Sequence, residues 1–78
     1  MSKSNKMFEK LGYENSQDGV CVLYRRKDFN SLCNLDISDI TFFADTEIIY
    51  IETQVADVIV NKGELRAIAQ KAKELGWV

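Results

Sequence analysis

Closely spaced carboxylates are the first side chains of this chain that could do chemistry. Asp36 and Asp39 form one pair, and Asp45 and Glu47 form another. Such pairs can bind a divalent cation, but calcium takes about six to eight oxygen ligands, usually from a loop with a glycine at its sharp turn. The sequence contains no such loop, so we expect no metal site and interpret Asp45 as a turn residue whose side chain bonds its own backbone.

A catalytic centre is equally hard to build from these residue types. The chain contains no histidine, which removes the commonest general base and metal ligand. Serine and cysteine nucleophiles therefore lack their usual activating base, and no glycine-rich loop has the phosphate-binding pattern. Cys21 and Cys33 stand in apolar, strand-like settings and are predicted to be reduced thiols that pack as small apolar side chains. We expect no enzymatic activity, no catalytic residue and no cofactor.

One basic cluster has the composition of a phosphate-binding site. Arg25, Arg26 and Lys27 are consecutive, and Tyr24 and Phe29 flank them as rings on which a base could stack. The alternative is a solvated strand end. Because 12 acidic residues outnumber 10 basic ones, for a net charge of -2, direct nucleic-acid binding is not the first expectation.

The charges are segregated along the chain. Residues 28–60 contain carboxylates and no basic residue, whereas residues 1–27 and 61–78 carry more basic than acidic side chains. Acidic strands beside basic helices would give internal complementarity and solubility. The functional alternatives are that the acidic 28–60 segment docks on a basic partner or imitates the phosphates of a nucleic acid.

A short helix is predicted near the start of the chain. It covers Lys6 to Leu11, with Ser4 or Asn5 as N-cap and Gly12 after its last turn. Residues 1–5 are expected to fray.

The closing helix is the clearest single element. Asn61 and Glu64 form a capping box, and Val60 and Leu65 have the spacing of a hydrophobic staple around it. Gly76 follows as the residue that lets the chain leave the helix. Apolar residues recur between these ends at helical spacing, so this long helix is expected to pack on one face of a sheet.

Strands are predicted where apolar and polar residues alternate between the helices. Val20 to Tyr24 should form one strand after a polar turn over residues 15–19, and Val55 to Val60 should form the last. The segment from Phe29 to Ile37 is ambiguous. The alternation changes phase at Ser38-Asp39, where we expect a bulge or an end of pairing.

The best-defined strand pair is a hairpin whose second face is unusually apolar. Ile40 to Phe43 should pair with Ile48 to Thr53 across a four-residue loop. One face would enter the core with Ile40, Phe42, Ile49 and Ile51. The other carries Phe43, Ile48 and Tyr50, which we predict to be an interface. Its cover would be the amino-terminal helix or a flanking loop of the same chain, the helix of another subunit, a twofold copy in a homodimer, or a different protein.

Together these elements predict a single α+β domain over residues 1–78. It should contain a short N-terminal helix, three to four mainly antiparallel strands and a long C-terminal helix packed on one sheet face. No apolar run approaches the roughly 18 residues of a membrane span, and no signal-peptide pattern follows the first lysines, so we expect a cytoplasmic protein. The predicted core comprises Val20, Val22, Ile40, Phe42, Ile49, Ile51, Val58 or Ile59, Leu65, Ile68, Ala72 and Leu75.

Both ends of the chain carry motifs that extend beyond capping. Residues 8–13 read Phe-Glu-Lys-Leu-Gly-Tyr, residues 64–68 read Glu-Leu-Arg-Ala-Ile, and residues 74–77 read Glu-Leu-Gly-Trp. In these motifs the chain resembles a group of very small proteins encoded by phages and prophages of Gram-positive bacteria. That group has no established activity, so the resemblance implies no catalytic or binding residue. It implies an accessory protein of a mobile element in a bacterial cytoplasm.

The expected function is that of a non-enzymatic small interaction protein, a phage or prophage accessory factor that binds a host or phage protein. The alternative is a nucleic-acid-associated or nucleic-acid-mimicking protein that acts through the acidic 28–60 segment. An ordered row of carboxylates would favour mimicry, and scattered carboxylates would favour plain solubility.

Overall fold

The computed structural model describes residues 2–27, 37–53 and 59–78. Within this part of the chain the helices and strands are, in order, α1 (Lys3–Lys10), β1 (Tyr13–Asp18), β2 (Cys21–Arg26), β3 (Ile37–Phe43), β4 (Ile48–Thr53) and α2 (Lys62–Glu74). The strands form one antiparallel sheet with the order β1-β2-β3-β4. The predicted α+β fold is confirmed. Neither described helix is long and apolar enough to cross a membrane.

The first helix begins earlier than the sequence analysis predicted. Ser2 is its N-cap, and the Ser2 hydroxyl accepts a hydrogen bond of 3.1 Å from the backbone N–H of Asn5. Residues 3–5 are therefore helical rather than frayed, and Ser4 is buried inside the first turn. Gly12 follows the helix with a φ of 95°, which confirms the predicted end.

The second helix has the predicted cap at each end. Its capping box is complete, and Gly76 has a φ of 79°. The Gly76 N–H donates to the carbonyl of Lys73, and the Trp77 N–H donates to the carbonyl of Ala72. These two bonds are those of a Schellman motif. Trp77 then packs near Phe42, with ring centroids 6.1 Å apart.

The first strand is the main element that the sequence analysis missed. Most of the polar segment predicted as a turn over residues 15–19 belongs to β1, and the chain turns only after it, where Gly19 has a φ of 60°. This strand lies at the edge of the sheet and is exposed at every position after Tyr13. A strand without a buried stripe shows no alternation of apolar and polar residues, so its sequence resembles a loop.

The β3–β4 hairpin has the predicted register. Phe43 pairs with Ile48 across the loop over residues 44–47. The register shifts between Ile37 and Asp39, which confirms the bulge expected there. The bulge restores the alternation that directs the following side chains to their correct faces.

Both helices pack on the same face of the sheet. Phe8 of α1 stacks on Tyr24 of β2 at a centroid distance of 3.9 Å and meets Phe42 of β3 edge-on at 6.3 Å. From α2, Ala67 is fully buried. The buried cluster comprises Phe8, Tyr13, Val22, Tyr24, Ile37, Ile40, Phe42 and Ala67.

Three residues of the predicted core are on the surface. Val20 is 50% exposed because it lies in the turn between β1 and β2, and Ile59 is exposed ahead of α2. Leu65 is 60% exposed, since the buried stripe of α2 runs through Glu64 and Ala67 instead. Val58 lies outside the described residues.

The approach to α2 also differs from the prediction. Of the last strand predicted over residues 55–60, only Ile59 and Val60 are described, and neither is in a strand. Val60 and Leu65, predicted to form a hydrophobic staple, are both exposed, so they do not form a buried contact.

Candidate functional site

The basic cluster is divided between the two faces of the sheet. Side chains alternate along β2, so Arg25 and Arg26 point in opposite directions. Arg25 is exposed and lies 3.9 Å from Asp39, whereas Arg26 enters the face covered by the helices. Lys27 is exposed beyond the strand end, and the ring of Tyr24 is fully buried. Its described residues therefore provide neither a continuous phosphate-binding surface nor a free stacking ring, and Phe29 lies outside the described residues.

Arg26 belongs to a buried polar cluster with Tyr13 and Glu64. Arg26 Nη2 donates to Glu64 Oε2 at 3.0 Å and to the Tyr13 hydroxyl at 3.1 Å, and that hydroxyl donates to the same carboxylate oxygen at 2.6 Å. Arg26 Nε donates to the carbonyl of Ile37 at 3.0 Å, and the guanidinium lies 4.8 Å from the centroid of the Tyr13 ring. Burial, reinforced by Glu64, raises the pKa of the Tyr13 hydroxyl. These residues thus join β1, β2 and α2.

Glu64 serves two structures with its two carboxylate oxygens. Oε1 accepts a hydrogen bond of 3.1 Å from the backbone N–H of Asn61, and the Glu64 N–H donates to Asn61 Oδ1 at 2.7 Å. Oε2 is held by Arg26 and Tyr13. The capping box therefore caps the first turn of α2 and also fixes that turn against the sheet.

A second polar cluster joins the two helices at the other end. Ser4 donates to the two oxygens of Glu74, from its backbone N–H at 2.9 Å and from its hydroxyl at 2.7 Å. Burial alone would raise the pKa of Glu74, but the hydrogen bonds from Ser4 outweigh it and lower the pKa to about 2. Tyr24 donates to Asn5 Oδ1, and burial raises the pKa of Tyr24.

Neither polar cluster presents a reactive group. Among the described residues, every buried side-chain nitrogen and oxygen has a hydrogen-bond partner. A cleft of about 270 Å³ between α1 and β1 is lined by Glu9, Glu14 and Lys27, but the Tyr13 hydroxyl beside it is already bound to Glu64. No group of three or more His, Cys, Asp or Glu side chains in the described ranges could hold a metal ion.

The face of the sheet opposite the helices is the candidate binding surface, and we call it the open face. Ile48 and Tyr50 on β4 are each 55% exposed, and Phe43 on β3 is partly buried beside them. Val20 adds a further exposed apolar side chain at the β1–β2 turn. Strand pairing and alternation assign to this face Glu14, Ser16, Asp18, Cys21, Leu23, Arg25, Asp39, Thr41, Phe43, Ile48, Tyr50 and Glu52.

The amino-terminal helix does not cover the open face. Phe8 fixes α1 against Tyr24 and Phe42 on the other side of the sheet. This outcome excludes the amino-terminal helix from the covers considered from the sequence. The three predicted interface residues Phe43, Ile48 and Tyr50 do lie together, as the hairpin register required. Cys21, a free and partly buried thiol, pairs with Phe43 on the same face, whereas Cys33 lies outside the described residues.

The two sides of the molecule differ in charge. Exposed carboxylates lie on or beside the open face at Glu14, Asp18, Asp45, Glu47 and Glu52. The helices on the opposite side carry Lys3, Lys6, Lys10, Lys62, Arg66, Lys71 and Lys73. The helix side also carries the exposed carboxylates of Glu9 and Glu74 but is net basic, whereas the open face is net acidic.

The described carboxylates of the acidic 28–60 segment do not form a row. Asp39 and Glu52 pair across the strands at one end of the hairpin, and Asp45 and Glu47 lie in the loop at its other end. Asp28, Asp36 and Asp57 lie outside the described residues. This arrangement favours scattered charge over imitation of a phosphate backbone.

Comparison with known proteins gave no match: no family model matches the chain, and neither a curated protein nor a solved structure matches it. The open face is therefore the feature from which a function is inferred.

Proposed function

We propose that the protein is a non-enzymatic binding protein whose open face docks on another protein. The observation that carries the proposal is the exposure of Ile48 and Tyr50, at 55% each. They stand at alternate positions of β4 and therefore lie on the same face. Both side chains are held on a regular sheet, so little conformational entropy is lost when a partner covers them. Exposed apolar patches on small domains mark interaction sites, and tyrosine is frequent among the residues that dominate binding.

The charges around the open face specify the chemistry of the partner. Carboxylates surround its apolar centre, and its one described cation, Arg25, lies beside Asp39. A twofold dimer through this face would place these carboxylates against their own copies, which opposes association. A partner surface that combines basic and apolar side chains fits better.

The biological setting follows from the resemblance of both chain ends to small phage and prophage proteins. We place the protein in a bacterial cytoplasm as an accessory factor that binds a host or phage protein.

Site-specific photo-crosslinking in a Gram-positive host tests the proposal. A benzoylphenylalanine probe in place of Tyr50 should give a discrete protein adduct, whereas the same probe in place of Glu9, exposed on α1, should not. Adding Ile48→Lys should abolish the adduct because a charge then enters the contact. Equal adducts at positions 9 and 50, or an adduct that survives Ile48→Lys, would contradict the proposal.

A further inference from the structure

The outer surface of the helix pair has the chemistry that the open face requires of a partner. We infer that the open face of one copy binds the groove between α1 and α2 of a second copy, so that chains associate head to tail. This inference rests on the proposed function, because it takes the open face to be a docking surface and narrows the host or phage protein that occupies it to a second copy of this chain.

The groove combines a small apolar floor with a basic rim. It has a volume of about 430 Å³ and is lined by Lys3 and Met7 from α1, by Arg66, Ala69, Gln70 and Lys73 from α2, and by Val78. The two helices are antiparallel, since Ser4 in the first turn of α1 bonds Glu74 in the last turn of α2. This places Lys3, Arg66 and Lys73 around Met7 and Ala69.

The groove faces away from the sheet. Glu64, Ala67 and Ala72 are buried on the sheet side of α2, whereas Arg66, Ala69 and Lys73 are exposed on its outer side. The open face lies on the far side of the same sheet. A twofold dimer joins the same surface of both copies. Pairing the open face of one copy with the groove of the next joins two different surfaces, and the association is therefore head to tail.

The two surfaces are complementary in charge and in apolar content. Carboxylates at Asp45, Glu47 and Glu52 surround the apolar side chains of the open face, whereas cations surround Met7 and Ala69 in the groove. Within the described residues the ion pairs are Arg25 with Asp39 and Arg26 with Glu64. Lys3, Arg66 and Lys73 therefore form no ion pair with any described residue of their own copy, and we take them to be available to a second copy.

Such a contact would need only a small part of the molecular surface. A specific interface needs about 1,000 Å² in total, or roughly 500 Å² from each copy. The accessible surface of the chain is 5244 Å², so each contact uses about a tenth of it. Because much of the attraction joins exposed charges, we expect it to weaken as salt is added.

Mixing two variants tests the inference. Ile48→Lys damages the open face and leaves the groove intact, whereas the double variant Arg66→Glu/Lys73→Glu reverses the groove and leaves the open face intact. Each variant alone should sediment as a monomer, and the parent should form species larger than a dimer at low salt. An equimolar mixture should form a dimer and nothing larger. In that dimer the intact open face of Arg66→Glu/Lys73→Glu binds the intact groove of Ile48→Lys, and no further intact pair of surfaces is left.

Several outcomes would overturn the inference. These are a monomeric mixture, a monomeric parent, or a dimer formed by Arg66→Glu/Lys73→Glu alone, since the last requires contact between two open faces. Crosslinking from position 50 to a different protein, with a monomeric mixture, would reject head-to-tail association and leave the proposed function standing. A monomeric mixture without any adduct from position 50 would reject both.

Discussion

Arg26 Nη2 lies 3.0 Å from Glu64 Oε2, although 38 positions separate the two residues in the chain. The Arg26 side chain is 17% exposed and that of Glu64 is 4% exposed, so the ion pair is largely withdrawn from water. It fixes the end of β2 against the first turn of α2, and with the hydrogen bond from Tyr13 it joins the sheet to the closing helix.

Removing the cation of this pair should be costly. Arg26→Met leaves the carboxylate of Glu64 buried without a cation beside it. The substitution should lower the free energy of unfolding by about 3 kcal/mol. Arg25→Met is the matched control on the same strand. Since the Arg25 side chain is 68% exposed, its loss should cost less than about 1 kcal/mol. Urea titration measures both.

Neutralising the carboxylate should rescue part of that loss. In the double variant Arg26→Met/Glu64→Gln, no buried charge remains and the glutamine can still complete the capping box. We expect it to be more stable than Arg26→Met by about 1 kcal/mol. A double variant less stable than Arg26→Met would contradict this account, because it would show that the charged carboxylate of Glu64 stabilises the fold even without Arg26.

Acid should destabilise the contact between the helix ends. The pKa of Glu74 is about 2 in the fold against an ordinary 4.5. A lowered pKa means that the stabilisation is complete above about pH 4.5 and is lost as the pH falls towards 2. Glu74→Gln should therefore converge with the parent in stability across this range. Parallel stability curves from about pH 6 to about pH 2 would exclude this role.

The hairpin loop holds one residue in a conformation that glycine would favour. Glu47 has a φ of 56°, where a residue with a Cβ atom costs roughly 1 kcal/mol more than glycine. Glu47→Gly should raise the free energy of unfolding by about 0.5 kcal/mol after its greater freedom in the unfolded chain is subtracted. Asp45→Gly, at a position without a positive φ, should lower it. Thermal melts that rank the two variants in reverse would refute this account of the loop.

The ends of α2 offer a further test. Asn61→Ala removes the acceptor for the Glu64 N–H and should cost about 1 kcal/mol, while Asn61→Asp keeps an acceptor and should cost less than half of that. Gly76→Ala should also cost about 1 kcal/mol. A Cβ atom at position 76 meets nothing within 4 Å, so the cost comes from its φ of 79° alone. Chemical denaturation should give a lower free energy of unfolding for Asn61→Ala than for Asn61→Asp.

Local patterns predicted the parts of this fold that local chemistry determines. The pairing of Phe43 with Ile48, the bulge after Ile37 and the glycine at the end of α2 each depend on a few consecutive residues. The candidate site followed from the same register, because alternation places Ile48 and Tyr50 on one face.

The errors arose where distant residues decide the outcome. Apolar periodicity favoured Leu65 as a core residue, but Glu64 is buried instead because Arg26 and Tyr13 bind its carboxylate. The strand β1 carries no apolar alternation, and only its pairing with β2 makes it a strand. Alternation along β2 could have shown that Arg25 and Arg26 lie on opposite faces, although not which one is buried.

The central claim is that one face of the β3–β4 hairpin forms the core and the other remains free to bind. Equilibrium unfolding of Ile48→Lys and Ile49→Lys, two adjacent positions with the same change, tests it most directly. The free energy of unfolding of Ile48→Lys should lie within about 0.5 kcal/mol of that of the parent. Because Ile49 packs against the core, Ile49→Lys should lose at least about 3 kcal/mol of that free energy or fail to fold. Equal destabilisation of the two variants would contradict the claim, because it would mean that Ile48 is as buried as Ile49.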